Sequence, residues 1–208
     1  MAFTMLTLAT IRQRGLGMVD ASDANSHYGA TLCNQWLNDG LQQMTAKGRG
    51  IEDTFSFTTT ASTRAYVLPT NFIEAKQVLY NGTRLRPMAL IEQDFFSSGS
   101  SYPDRYALWG TPLQILFGPT PPSAAEDVVV YYFREPNTLT NDGDEPEIPN
   151  RFRHYLSDYL AANYLLADGN AQDANLHLQR YNEGVKEYMQ WCRFRSRDQF
   201  KTVVEEWG

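Results

Sequence analysis

The feature that most constrains this chain is a double switch in the spacing of its apolar residues, from helical to alternating and back to helical. In the N-terminal stretch, Cys33, Trp36, Leu37, Leu41 and Met44 recur every three or four positions, which gives a helix one buried face. From about residue 52 the pattern changes. DTFSFTTTAS and TRAYVLP alternate apolar with polar residues, and YALWG, PLQILFG and DVVVYYF follow between Gly, Pro and Ser clusters. That is the signature of short strands with frequent turns. Beyond Pro149, Phe152, Tyr155, Leu156, Tyr159 and Leu160 return to the i, i+3, i+4, i+7, i+8 pattern. A helical frame interrupted by a β insertion is the economical reading.

Local signals place the element ends. Thr4 is positioned to cap a first helix reaching about Arg14, with Gly15 and Gly17 as its stop. A second helix starts near Asp23 to Ser26 and ends at Gly48 and Gly50. Asn81-Gly82, between QVLY and TRLRP, supplies the two positive-φ residues of a type I′ turn and marks a hairpin. The stretch FFSSGSSYPD reads as a protruding loop. Asn150 is a candidate N-cap. Gly169 separates two helices, the second carrying Ala174, Leu178, Tyr181, Val185, Tyr188, Met189 and Cys192 on one face, so the pair reads as an antiparallel hairpin. The expectation is an α+β fold: N-terminal helices over 1–50, an antiparallel sandwich- or barrel-like module of five to seven strands over 51–137, a helix hairpin over 138–192 completing the bundle, and an extended tail over 193–208.

Composition narrows the function. At 208 residues and 42% hydrophobic, the chain suits one globular domain with an insertion. A net charge of -6 argues against general nucleic-acid binding, which needs clustered cations. Lysine occurs only at Lys47, Lys76, Lys186 and Lys201; the remaining bases are arginine, whose planar fork suits fixed interfacial pairs. No window approaches the ~20 apolar residues of a membrane span, and the first residues lack the plan of a signal peptide, so a soluble protein made in a cytoplasm is expected.

The search for chemistry yields little. Cys33 and Cys192 form no CxxC pair, and His27, His154 and His177 have no partner at metal-ligand spacing. No GxSxG, P-loop or GxGxxG occurs. The acidic run NDGDEPE at 141–147 lacks the loop length and distal glutamate of an EF-hand and reads as a solvated linker. Asn81-Gly82-Thr83 matches a glycosylation acceptor, but the hairpin turn accounts for it. Asp104 and Glu126 are the best carboxylate pair for a hydrolase, without a spacing that argues for a cleft. No catalytic residue, cofactor or metal is expected. Tyr102, Tyr106 and Trp109 leave one alternative, a carbohydrate- or ligand-binding β module on a helical scaffold. Arg193, Arg195, Arg197 and Lys201 form a basic cluster. Either it answers the negative end of a helix, or it is an arm that docks on an acidic neighbour or meets DNA phosphate, with Phe200 and Trp207 as anchors.

Several landmarks, in order, carry a resemblance. Leu68-Pro69-Thr70-Asn71-Phe72 closes one strand, Tyr131-Tyr132-Phe133 with Pro136 closes another, and Glu147-Ile148-Pro149 leads into the helix hairpin. With the helix–β–helix layout, the chain from about 3 to 192 resembles the head-to-tail adaptor (connector, or head-completion) proteins of tailed bacteriophages. The resemblance implies a structural virion protein in the neck, assembled in the host cytoplasm. It implies a homo-oligomeric ring, commonly of about twelve copies, since a heterologous interface that closes makes a ring. Its partners would be the portal above, a tail, nozzle or stopper protein below, and DNA passing through the channel without specific binding. A net negative subunit suits a lumen along which DNA slides.

Overall fold

The computed structural model describes residues 6–90 and 102–204, with 196–204 as backbone only. Thr4 and Trp207 lie outside the described residues, as does most of the stretch read as a protruding loop. The chain divides into two compact units: residues 1–51 with 135–208, and residues 52–134.

The first unit is helical. It holds α1 (Leu8–Gly17), α2 (Ala30–Gly48), a single turn α3 (Asn150–Arg153), α4 (Tyr155–Ala167) and α5 (Ala171–Val204). The central element is α4. Its Leu156, Ser157, Leu160, Ala161 and Ala162 are fully buried and Asp158 and Tyr164 nearly so, so it is covered on almost every side, as an apolar helix inside a bundle must be. Its neighbours approach it through glycine. A Cβ at Gly15 of α1 would lie 2.5 Å from Leu160 Cδ2, and one at Gly40 of α2 would lie 2.7 Å from the Tyr159 ring. One at Gly184 of α5 would run into the Tyr155 ring. Gly15 is therefore a packing residue inside α1, and not the stop expected for it.

Other element ends also differ from expectation. The N–H groups of Leu8 and Ala9, orphaned at the start of α1, donate to the main-chain carbonyls of Asp144 (2.8 Å) and Asp142 (3.1 Å). A loop distant in sequence thus caps this helix, a device local signals do not reveal. Asn150 makes no cap bond; its Oδ1 accepts from the Leu6 N–H at 3.1 Å, and Pro149 stands at the N-cap of α3. The α4–α5 turn is as expected. Gly169 has φ +80°, and Asn170 N–H donates to Leu165 O while Gly169 N–H donates to Leu166 O, which is a Schellman motif.

The largest difference is α5. At 34 residues against 13 for α4, it runs about 50 Å where its hairpin partner runs about 20 Å. It remains helical to Val204, so residues 193–204 correct the expected extended tail. No Pro or Gly falls between Val185 and Val204, and Arg, Gln and Lys are good helix formers.

The second unit is β1 (Glu52–Thr58), β2 (Ala65–Val67), β3 (Phe72–Tyr80), β4 (Thr83–Arg84), β5 (Arg86–Pro87), β6 (Arg105–Trp109), β7 (Gln114–Gly118) and β8 (Asp127–Arg134). They form two four-stranded sheets, ordered β1-β8-β3-β4 and β2-β7-β6-β5. Val78, Tyr80, Val128, Val130 and Tyr132 of the first sheet share a core with Tyr106, Ile115 and Phe117 of the second. Period-2 alternation produces this, since residues 128, 130 and 132 point in while 127 and 131 are exposed. The unit is an open sandwich, not a closed barrel. The pairing is antiparallel except for β5–β6, which is parallel. Asn81 and Gly82 take φ +45° and +75°, the two left-handed residues expected of the hairpin turn.

Candidate functional site

Most residues with chemical potential are engaged in holding the fold. Arg12, 4% exposed, ties three segments of the helical unit together. It donates to Asp23 Oδ1 (2.9 Å), to Asn34 Oδ1 (2.9 Å) and to Asp142 Oδ1 (2.9 Å). Its hydrogen bond to Asp23 raises its pKa further. Asp144 Oδ2 accepts the N–H groups of Thr140 and Asn141, each at 2.8 Å. Glu145 pairs at 2.8 Å with Arg153, which also donates to Ile148 O and Leu6 O. The run 141–147 is therefore the clasp over the start of α1, which corrects its reading as a solvated linker.

Glu126 accepts from Asn81 Nδ2 and, at 2.7 Å, from Ser123 Oγ. These bonds, Asn81 first, hold its pKa below the usual carboxylate range, the opposite of what a general acid needs. Asp104 lies 3.6 Å from Arg105. His177 Nδ1 is 3.0 Å from the buried Asp158 across the α4–α5 hairpin, and His154, its pKa lowered by burial, lies against the Tyr155 ring. Both cysteines are buried thiols, and burial pushes the Cys33 thiol up. Among the described residues, no three His, Cys, Asp or Glu side chains cluster as metal ligands, and no helix is long and apolar enough to cross a membrane.

Asp142, Asp144 and Glu126 all have lowered pKa values. The causes are, respectively, the Arg12 hydrogen bond, the Asn141 and Thr140 N–H groups, and Asn81. A carboxyl whose folded pKa is depressed contributes stability above its unfolded value of about 4, lost as pH falls through the folded value. The urea midpoint is therefore expected to fall between about pH 5 and pH 2, and Arg12→Met removes the Asp142 share. A midpoint constant over that window contradicts the assignment.

The aromatic platform expected of a carbohydrate module does not assemble. Tyr106 is 7% exposed and faces the sandwich core, while Tyr102 and Trp109 are exposed. Trp109 shares an outward row with Gln114 and Val67, and Tyr102 leans toward Tyr80.

The residues expected to bind partners all fall on or beyond the far end of α5. Arg195 donates to Gly50 O at 3.2 Å and stacks over Trp191, which also lies against Arg151, Phe152 and Tyr188. Phe194, not singled out from the sequence, is 62% exposed. Its signal was present as an aromatic inside the run RFRSR. Arg193 lies beside it on α5, and Arg197 and Phe200 fall on the helix backbone.

A second feature was invisible in the sequence. Gln35, Asn38, Asp39 and Gln42 of α2 and residues 135–138 line a groove of about 290 Å³. Asn38 braces it by clamping one residue of the facing segment: Oδ1 accepts from Leu139 N at 2.8 Å and Nδ2 donates to Leu139 O at 3.0 Å.

The helical unit has a long last helix and a polar groove, and the β unit has exposed Tyr102 and Trp109. The chain matches the SU10 adaptor protein family over residues 6–204, and it belongs to that family. No curated protein is similar enough to count as a relative. The match covers nearly the whole chain, and a phage adaptor is a structural protein that works in contact with other head and tail proteins of the virion.

Proposed function

We propose that the chain is a non-enzymatic ring subunit of the virion neck, of about twelve copies, set between the portal and the tail. It gives the tail its platform and encloses a channel for DNA. The family match across both units, residues 6–204, carries this reading. The charge supports the channel role: at -6 per copy, a ring repels phosphate and leaves DNA to slide. The end of α5, with Arg193, Arg195, Arg197 and Phe200, and Trp207 beyond it, is the segment that reaches a neighbour.

Size-exclusion chromatography with light scattering on the full chain tests this. The expected result is a large, concentration-dependent oligomer, or a monomer that joins a ring when the portal protein is added. A chain that stays monomeric at high concentration and does not associate with portal overturns it.

A further inference from the structure

Five residues of β1 read the same in both directions: Thr54-Phe55-Ser56-Phe57-Thr58. The strand also stands at an edge. In its sheet, ordered β1-β8-β3-β4, it pairs only with β8. Thr59 N–H donates to Glu126 O at 2.9 Å. By the alternation of an antiparallel ladder, the main-chain groups of Phe57 and Phe55 therefore turn to β8, and those of Thr54, Ser56 and Thr58 turn outward. These three residues are exposed. Thr54 N–H is taken up by the adjacent Asp53 Oδ1 at 2.8 Å. The outward N–H and C=O groups of Ser56 and Thr58 make no hydrogen bond among the described residues.

The other sheet edges are short. β4 has two residues, β2 three, and β5 two, one of them Pro87. A longer edge is ordinarily blunted by lysine, proline or a bulge, because its unpaired groups are a template for another strand. Residues 54–58 hold no charge and no proline, and the β1–β8 register runs without a shift from Glu52 to Thr58. On the inner face Phe55 and Phe57, their ring centroids 5.4 Å apart, are only half-buried against the sandwich core. Such an edge is ready to take a strand, and the palindrome selects which one.

We propose that this edge pairs with the same edge of a second copy, antiparallel about a two-fold axis at Ser56, so that four strands from each copy join into one sheet of eight. A two-fold contact needs a surface that complements itself, and the palindrome supplies it. Ser56 meets its own image, Thr54 meets Thr58, and Phe55 meets Phe57. The Ser and Thr pairs are the hydrogen-bonded ones, with their hydroxyls side by side on the exposed face. The Phe pairs are the closer, non-hydrogen-bonded ones, and they cover ring surface that a single copy leaves open. Glu52 and Asp53 lie beyond the five residues and pair with Lys76 and Arg134, so no like charges are brought face to face. The contact closes at two copies and is therefore not the one that closes a ring; it goes beyond the ring reading and stands or falls apart from it.

The test uses the full chain without portal. Ser56→Lys sets each ammonium against its own image, and Ser56→Glu does the same with carboxylates; like charges directly opposite destabilise a strand pair. Each alone is expected to raise the dimer dissociation constant by about tenfold or more in sedimentation equilibrium, with an unchanged melting curve for the dilute chain. Mixed in equal amounts, the two variants are expected to restore the dimer. Cysteine reads the register independently. Opposite residues of a hydrogen-bonded pair stand about 5.5 Å apart at Cα, within disulfide reach. Ser56→Cys is therefore expected to give a covalent dimer under a mild oxidant, the native Cys33 and Cys192 being buried. Thr58→Cys, about 13 Å from its image along the strands, is expected to stay unlinked. The contact is overturned by an unmodified chain without a two-copy species, by Ser56→Lys pairing like the unmodified chain, by folded variants that stay apart when mixed, or by equal linking at 56 and 58. A free chain that stays single and takes a strand of the portal protein at β1 overturns it in favour of that occupant.

Discussion

Replacing Arg12 with methionine is expected to lower the unfolding free energy by about 2–4 kcal/mol, measured by urea denaturation near neutral pH. The side chain is 4% exposed and its fork reaches three segments that nothing else joins in the same way. These are the loop before α2 through Asp23, α2 itself through Asn34, and the 141–147 clasp through Asp142. Breaking a fully buried pair costs more, because it strands a charge. Here Asp142 is largely exposed and water takes up the carboxylate, which holds the figure below that extreme. Methionine fills most of the volume, so the loss reports the polar contacts and not a cavity. The clasp also supplies the carbonyls that cap α1, so its release loosens that helix as well. Lys76→Met is the control: its pair with Glu52 is more than a third exposed on each side, and such pairs contribute about 0–1 kcal/mol. If the two substitutions cost the same, Arg12 is not the tie described.

What was legible in the sequence, and what was not, divides along the range of the interactions. The periodicity of Cys33 to Met44 and of Phe152 to Leu160 comes from one helical face, and the alternation through DVVVYYF from one strand, so helix, helix and strand were found there, although α2 starts at Ala30 and not near Asp23 to Ser26, and the later run is split at His154 into α3 and α4. Asn81-Gly82 and Gly169 carry their conformations in their own dihedral freedom, and both turns formed. The capping of α1 depends on carbonyls well over a hundred positions away. Asn150 and the 141–147 run were misread for that reason, since their partners, Leu6 and Arg12, are distant in sequence. The β5–β6 pair needs two residues to lie parallel beside a later strand, which no local pattern marks.

The candidate site was partly readable. The basic cluster at the end of α5 stood out because three arginines lie within five positions. Its helical conformation was missed because charge density was taken for a tail, although no breaker interrupts the helix after Gly184. The groove was wholly hidden. Gln35, Asn38, Asp39 and Gln42 look like an ordinary solvated face until residues 135–138 are laid across them. Gly15 was misread because a helix stop and a close helix crossing use the same residue for different reasons.

That ambiguity gives the second large effect. Alanine at Gly15 is expected to destabilise the protein by about 1–3 kcal/mol, although glycine to alanine within a helix ordinarily stabilises by up to about 1 kcal/mol. The new Cβ would stand 2.9 Å from the Ser157 carbonyl oxygen and 3.1 Å from Leu160 Cβ. These atoms belong to the backbone and first side-chain carbon of the most buried helix and cannot swing aside. The separation of α1 and α4 must therefore grow, and Leu8, Ile11 and Leu16, all at 1% exposure or less, lose contact with it. Gly17, two residues on in the same helix, has nothing within 4 Å of its would-be Cβ. Gly17→Ala keeps the entropic gain without the collision and is expected to stabilise by about 0.5 kcal/mol. Opposite signs at neighbouring glycines of one helix cannot come from propensity, which treats both alike. Adding Leu160→Ala to Gly15→Ala separates the terms further. Leu160→Ala alone empties a fully buried site and costs about 2–5 kcal/mol, but in the double variant the new methyl occupies part of that space. The pair is expected to cost clearly less than the two losses added together, and strict additivity in urea denaturation would show that Gly15 and Leu160 do not share the contact on which the α1–α4 crossing is built.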